Sequence, residues 1–203
     1  MVDILGTLDE KIEKNNLFEK QIENLFSILW SNCFNLKNYE NDYIGNIISI
    51  KYGKNLPTNL LQDTGYVVFG GNGPIGYYSK YMYDTSKVLV SCRGAASGNV
   101  IFSYPYSFIT NNSLILEDND NIMFPYLRGL SKELHFEKYT TGSAQPQITI
   151  ENITNIIIPI PPKNDQLQFS HYATALLDRL EHIRLENQKL NELKQLYLKK
   201  FFG

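Results

Sequence analysis

The chain has 203 residues and a mass of 23.4 kDa, enough for one sizeable domain or a domain with an extended element. Its 43% hydrophobic content supports a buried core and excludes wholesale disorder, while 19 basic against 21 acidic residues exclude polycationic nucleic-acid binding over the whole surface, though not a local basic face. Cys33 and Cys92 are too few for a disulfide framework, and His135, His171 and His182 lack metal-ligand spacing. No basic and apolar leader is visible and no apolar run reaches spanning length, so the expectation is a cytoplasmic protein with no metal and no membrane association.

In chain order, residues 7–34 lack Gly and Pro and read as a helix. Thr7-Leu8-Asp9-Glu10 is a capping-box pattern at its start. Read as heptads, Leu8, Asn15, Ile22 and Leu29 take position a, and Ile4, Lys11, Phe18 and Leu25 take position d, with Ile12 and Phe26 widening the stripe. The middle holds all eight prolines and nearly all the glycines. It reads as short strands at 66–69, 87–90, 99–102, 113–116 and 153–160, with one helical segment from Phe124 to Leu134.

After Pro161-Pro162 a long helix begins, with Asp165 as its expected N-cap. Its seam is Phe169, Leu176, Ile183, Leu190 and Tyr197 at d, and Ala173, Leu180, Asn187, Lys194 and Phe201 at a. At about 1.5 Å per residue this element runs roughly 55–60 Å, too long to pack wholly on a middle of this size, so much of the seam must meet another helix. A buried Asn at a costs stability and is favoured where it fixes register, and Asn15 and Asn187 are each placed for that. The pairing can be parallel or antiparallel, within or between chains. The fold class is α/β (α+β), organised as a helix at 1–34, a β-rich module at 35–162 and a long helix at 163–203.

Catalytic motifs fail on their mechanics. Gly71-Asn72-Gly73-Pro74-Ile75-Gly76 matches a dinucleotide fingerprint after an apolar run, but Tyr77-Tyr78-Ser79-Lys80-Tyr81 suits a strand or loop, not the helix such a loop must open. The only Pro-Pro pair lacks the Asn/Asp and aromatic flanks of an amino-methyltransferase clamp. No serine-nucleophile elbow occurs, and Glu117-Asp118-Asn119-Asp120 lacks calcium-loop spacing. What remains is four Gly-rich polar loops, at 51–54, 70–80, 91–99 and 140–147. Gly allows close backbone approach, Arg, Asn and Gln can read purine edges in pairs of hydrogen bonds, and Ser, Thr and Lys reach phosphates. Such loops also occur simply as solvated turns of β-rich domains.

In this order, the pieces resemble one half of the DNA-specificity subunit of Type I restriction–modification enzymes. Residues 8–16, Leu-Asp-Glu-Lys-Ile-Glu-Lys-Asn-Asn, resemble that family's spacer-helix opening LD-x-K-I-x-x-N-N. Residues 71–77 resemble its S-N-G-x-I-G loop, with Gly for Ser at 71. Arg93-Gly94 through Gly98-Asn99-Val100 resembles R-K-G-x-x-G-x-V, departing at Ala95-Ala96. Residues 142–146 and 157–166 resemble G-S-x-Q-P followed by I-P-x-P-P-x-x-x-Q.

The resemblance implies binding, not catalysis. One target recognition domain between spacer helices implies either a half-size subunit that pairs as a homodimer on a split palindrome, or a fragment of a two-module chain. Implied partners are double-stranded DNA, an adenine methyltransferase (modification) subunit that carries S-adenosylmethionine, and a restriction subunit. No cofactor is expected on this chain. Pairing would run through Leu8, Asn15, Ile22, Leu176, Leu180, Ile183, Asn187 and Leu190. Side-chain chemistry in the loops nominates Arg93, Asn72, Gln145 and Gln147 for base edges, and Lys51, Lys54, Lys80, Ser97, Thr140 and Ser143 for the DNA backbone. Residues 36–160 hold nine Lys or Arg against ten Asp or Glu, so strong solitary binding is not expected. The alternative function is a coiled-coil scaffold or decoy that binds the methyltransferase without reading DNA.

Overall fold

The computed structural model describes residues 2–34, 38–142 and 144–202. In chain order they form α1 (Val2–Phe34), β1 (Glu40–Tyr43), α2 (Ile44–Ile47), β2 (Ser49–Tyr52), a 3-10 turn (Thr58–Leu60), β3 (Tyr66–Gly70), β4 (Gly73–Tyr78), β5 (Val88–Ser91), β6 (Val100–Phe102), β7 (Phe108–Ile109) and β8 (Ser113–Glu117). There follow α3 (Phe124–Glu133), a 3-10 turn (Phe136–Tyr139), α4 (Ile150–Thr154), β9 (Ile157–Ile160) and α5 (Lys163–Phe202). They make two compact units: residues 1–36 with 168–203, and residues 37–167.

The first unit is an antiparallel helix pair closed within one chain. Lys194 bonds Asp9, Asn187 and Glu186 meet Asn15, Arg184 meets Glu19 and Glu23, and Phe169 meets Phe26 and Phe34. Residue numbers rise on one helix as they fall on the other. Ile22, Leu180 and Ile183 form a buried cluster, with Leu176 and Leu177 packed on it. The α5 seam lies where its heptads put it: Phe169, Ala173, Leu180 and Ile183 are buried, and Leu176, Asn187, Leu190, Lys194 and Tyr197 half-buried. Phe201 is exposed.

On α1 the expected frame is half wrong. Leu8, Asn15 and Ile22 are buried and Leu29 half-buried, but Ile4, Lys11, Phe18 and Leu25 are exposed. The second seam row is Ile12, Glu19, Phe26 and Cys33. Both frames satisfy the 3,4 spacing of a coiled coil, so periodicity does not choose between them. The aromatic cluster of Phe26, Trp30 and Phe34, all buried, does. The helix also starts at Val2, which puts Thr7 and Glu10 in its interior and removes their capping role. Propagation along a paired helix outweighs one local cap signal. Likewise α5 starts at Lys163, so Asp165 lies in its first turn instead of capping it.

The second unit layers two sheets and a helix. Strands run β2-β8-β5-β6, all antiparallel, in one sheet, and β4-β3-β7 in another, where β3 pairs antiparallel with β4 and parallel with β7. Alternation sorts the side chains. Leu89 and Ile115 face Phe69 and Ile109 of the smaller sheet, making one buried cluster. Their neighbours Val88, Val90, Leu114 and Leu116 are also fully buried, on the opposite face of the same sheet, where α3 lies against β5 and β6. A third ribbon pairs β1 with β9.

The expected strand at 153–160 is only half strand. Residues 150–154 are helical because Thr149 and Asn152 form a reciprocal cap: Asn152 Oδ1 accepts from Thr149 N at 2.9 Å, and Thr149 Oγ1 from Asn152 N at 3.3 Å. Gln166, buried at the start of α5, accepts from Met123 N at 2.8 Å and donates to the carbonyls of Asn121 (2.7 Å) and Pro161 (2.9 Å). That is the physical content of the motif's last Gln: it ties the turn before α3 to the turn before α5.

Candidate nucleic-acid interface

Sheet directions bring the Gly-rich loops together. The C-terminal ends of β2, β3, β5 and β7 and the N-terminal starts of β4, β6 and β8 lie at one end of the module. Its centre is the short turn Thr110-Asn111-Asn112 between β7 and β8. Asn111 N donates to the Lys54 carbonyl (3.1 Å), Lys54 N to Ile109 (2.9 Å), Thr110 N to Phe69 (2.9 Å), and Cys92 N to Asn112 (2.9 Å). Ser113 Oγ donates to the Gly70 carbonyl at 3.1 Å. One turn therefore holds three loops that are distant in sequence.

The remaining loop is tied through the second. Arg93 and Gln147 form an antiparallel bridge, Gly94 N donates to Pro146 O at 2.9 Å, and Ile148 N donates to Cys92 O at 3.1 Å. Thr141 and Gln147 exchange both backbone hydrogen bonds at 2.8 Å, closing the 141–147 turn. Two glycines are required by close approach. A Cβ on Gly53 would lie 2.2 Å from the Thr110 carbonyl oxygen. One on Gly98, at φ +94, would lie 2.5 Å from the backbone of Glu137.

Gly71-Asn72 is the turn of the β3–β4 hairpin, leading into a strand with no helix to cradle a phosphate, as the sequence suggested. Asn72, Arg93, Gln145 and Gln147 are exposed on this end, and their side chains make no hydrogen bond or ion pair among the described residues. Lys54 is exposed there too, and Thr140, half-buried, reaches the Ser97 carbonyl at 3.5 Å. Ser143 lies outside the described residues.

Three expected backbone contacts are not brought here. Ser97 is buried, its hydroxyl shut inside the loop by the Gly94–Ser97 turn, so it cannot meet a duplex. Lys51 is next to the loop end of β2, but its side chain is taken by Glu117, 2.7 Å away, which sits at the other end of β8. Lys80 is exposed, but follows β4, whose six residues carry it about 20 Å from Asn72. Sequence reasoning missed Asn111 and Asn112. The signal was the Asn-Asn pair between two apolar runs, a turn whose importance appears only through its distant contacts.

Charge is partitioned along the module. Glu117 and Asp118, at and just beyond the end of β8 away from the 110–112 turn, take up Lys51 and Lys87 (2.6 Å). Burial alone would raise the Glu117 carboxyl, but hydrogen bonds from Lys51, Tyr83 and Ser49 hold it below the ordinary glutamate range. Burial and the adjoining Glu117 push the Tyr83 phenol up. At the loop end, burial raises the Cys92 thiol despite the neighbouring Arg93 charge, which marks it as a packing residue. The near-neutral balance of the module thus conceals a loop end on which Arg93 and Lys54 have no ion-pair partner among the described residues.

Residues 19–195 match the Type I restriction modification DNA specificity domain family. The chain belongs to this family. It is similar to the Type I restriction enzyme EcoprrI specificity subunit of Escherichia coli, at 21% identity over 156 residues, covering 74% of this chain and 38% of that protein. Among solved structures, its fold is similar to the Type I restriction-modification S subunit from M. genitalium, with a TM-score of 0.70 at 19% identity over 99% of this chain and 59% of that one. It also resembles the HsdS subunit from Thermoanaerobacter tengcongensis, with a TM-score of 0.50 at 18% identity over 98% and 56%. The chain spans less than two thirds of the length of each of these relatives. The segments whose sequence resembles that family's motifs lie on the elements just described: the hairpin turn, the Arg93 loop, the 141–147 turn and the Gln166 tie.

Proposed function

We propose that this chain is the sequence-specific DNA-binding subunit of a Type I restriction–modification system and that its loop end reads one half of a split target. The observation that carries this reading is the loop end itself. Its backbone groups are spent on one another, while its Arg, Asn and Gln side chains are not, the distribution expected of a surface that hydrogen-bonds base edges. The family match and the shared fold support it.

Recognition is the chain's own work. Methyl transfer falls to adenine methyltransferase subunits that bring S-adenosylmethionine and flip the base. A restriction subunit joins the same cytoplasmic assembly. Two copies of this module pair, and the target is then a split palindrome. The heptad seam does not make that pairing: Leu8, Asn15, Ile22, Leu176, Leu180, Ile183, Asn187 and Leu190 serve the pair within the chain. The surface left for a second copy or the methyltransferase is the outer side of the helices, where Leu17, Phe18, Leu25 and Ile28 of α1 and Leu185, Leu193 and Leu196 of α5 are exposed.

The test is light scattering on the full chain, followed by duplex binding with the modification subunit at rising salt. A mass near twice 23.4 kDa and sequence-selective, salt-dependent binding are the expected results. A complex with the methyltransferase that binds no sequence preferentially would favour the scaffold alternative.

A further inference from the structure

The loop end has an unusual chemical inventory. Residues 70–73, 91–99, 110–113 and 140–147 contain six carboxamides (Asn72, Asn99, Asn111, Asn112, Gln145 and Gln147), one guanidinium (Arg93) and no Asp or Glu. The only other Arg between residues 37 and 167 is Arg128, which is buried on α3 with its guanidinium 3.6 Å from the Phe102 ring. It cannot reach a duplex. Each side-chain class has its own base: carboxamides match adenine N6 and N7, guanidinium matches guanine O6 and N7, carboxylates accept from cytosine N4, and small apolar groups meet the thymine methyl. Ala95 and Ala144 are exposed on the same loops and supply that last contact.

Asn112 occupies the centre of this surface. Its carbonyl accepts from Cys92 N, next to Arg93, and a Cβ on Gly71, next to Asn72, would lie 3.5 Å from its own Cβ. Its side chain is exposed and makes no hydrogen bond among the described residues. The backbone around it is fixed by the turn contacts, so its amide is held out on a rigid support.

We propose that the half-site is made mostly of A·T pairs, with Asn112 reading an adenine at its centre and Arg93 supplying a single guanine contact. This rests on the reading of the loop end as a DNA-recognition surface and adds to it the class of sequence recognised. Carboxylates that would select cytosine are absent from these four loops, and Arg93 and the neighbouring Lys54 are the two exposed cations placed at this end that could take guanine O6 and N7, against six carboxamides.

The experiment is selection of the full chain, in complex with its modification subunit, on a pool of random duplexes at about 50 mM salt, where phosphate contacts are little screened, followed by sequencing. The expected result is a motif in which A·T positions outnumber G·C. Asn112→Ala should relax one A·T position by about 5- to 100-fold and Arg93→Ala should relax one G·C position by a similar factor. Both variants should melt as the parent does, since neither side chain is packed. A motif dominated by G·C, or an Asn112→Ala variant with an unchanged motif, overturns this inference while leaving DNA reading in place. No enriched motif overturns the recognition reading itself, and this inference with it.

Discussion

The helix pair and the loop end spend their polar groups in opposite ways. In the pair, side chains are matched to one another. Asn15 Nδ2 donates to Glu186 (2.8 Å) and Asn187 (2.9 Å), Asn187 returns a bond to Asn16 (3.0 Å), and Arg184 Nε meets Glu19 at 2.7 Å. At the loop end the backbone is matched, and the exposed Asn72, Arg93, Asn112, Gln145 and Gln147 side chains make no hydrogen bond or ion pair among the described residues. The first arrangement fixes register and excludes other partners from that seam; the second builds a rigid frame whose side chains await one. Substitutions should therefore change stability in the helices and specificity in the loops.

The largest effect belongs to Phe169. It is buried, with its ring edge-on to Phe26 at 5.6 Å and to Phe34 at 5.2 Å, and Phe169→Ala should cost about 3–5 kcal/mol in urea unfolding. Gly98→Ala comes next, on the order of 1–3 kcal/mol for strain at its positive φ, with further loss from the clash with Glu137. That variant sharpens the comparison, because it damages the frame of the loop end without touching a free side chain. Asn15→Ala removes two hydrogen bonds at a buried position, one of them to a carboxylate, and should lower stability by about 1–3 kcal/mol by the same assay.

The smallest of these effects is set by pH. The Glu117 carboxyl is lowered in the folded state, so the stability it contributes is present above the ordinary glutamate pKa and lost as pH falls through its lower folded value. Glu117→Gln should flatten that part of the acid unfolding curve. An unchanged curve would mean that the Lys51–Glu117–Tyr83 cluster adds nothing to the module's stability.

The same contrast explains how much was legible in the sequence. The α5 seam, the strands at 66–70, 88–91 and 113–117 and the turns at 91–99 and 140–147 follow from local periodicity and turn chemistry, whereas most of 70–80, expected as a loop, is strand β4. The α1 frame did not, because two rows satisfy the same spacing and only the aromatic packing against α5 selects between them. The helix at 150–154 was masked by its β-branched residues, since its cap uses Asn152 where Glu or Gln is the usual signal. Asn111 and Asn112 were silent for a third reason. Their place at the centre of the loop end depends on contacts with Lys54, Gly71 and Cys92, residues 20 or more positions away, which no local pattern encodes.

The most direct test of the account is hydrogen exchange of the full chain with and without its selected duplex. Bound DNA should slow exchange at 70–73, 91–99, 110–113 and 140–147 together, and leave the amides of the helix pair as they were. Protection confined to α1 and α5, with the four loops unchanged, would contradict the claim that the loop end is the reading surface.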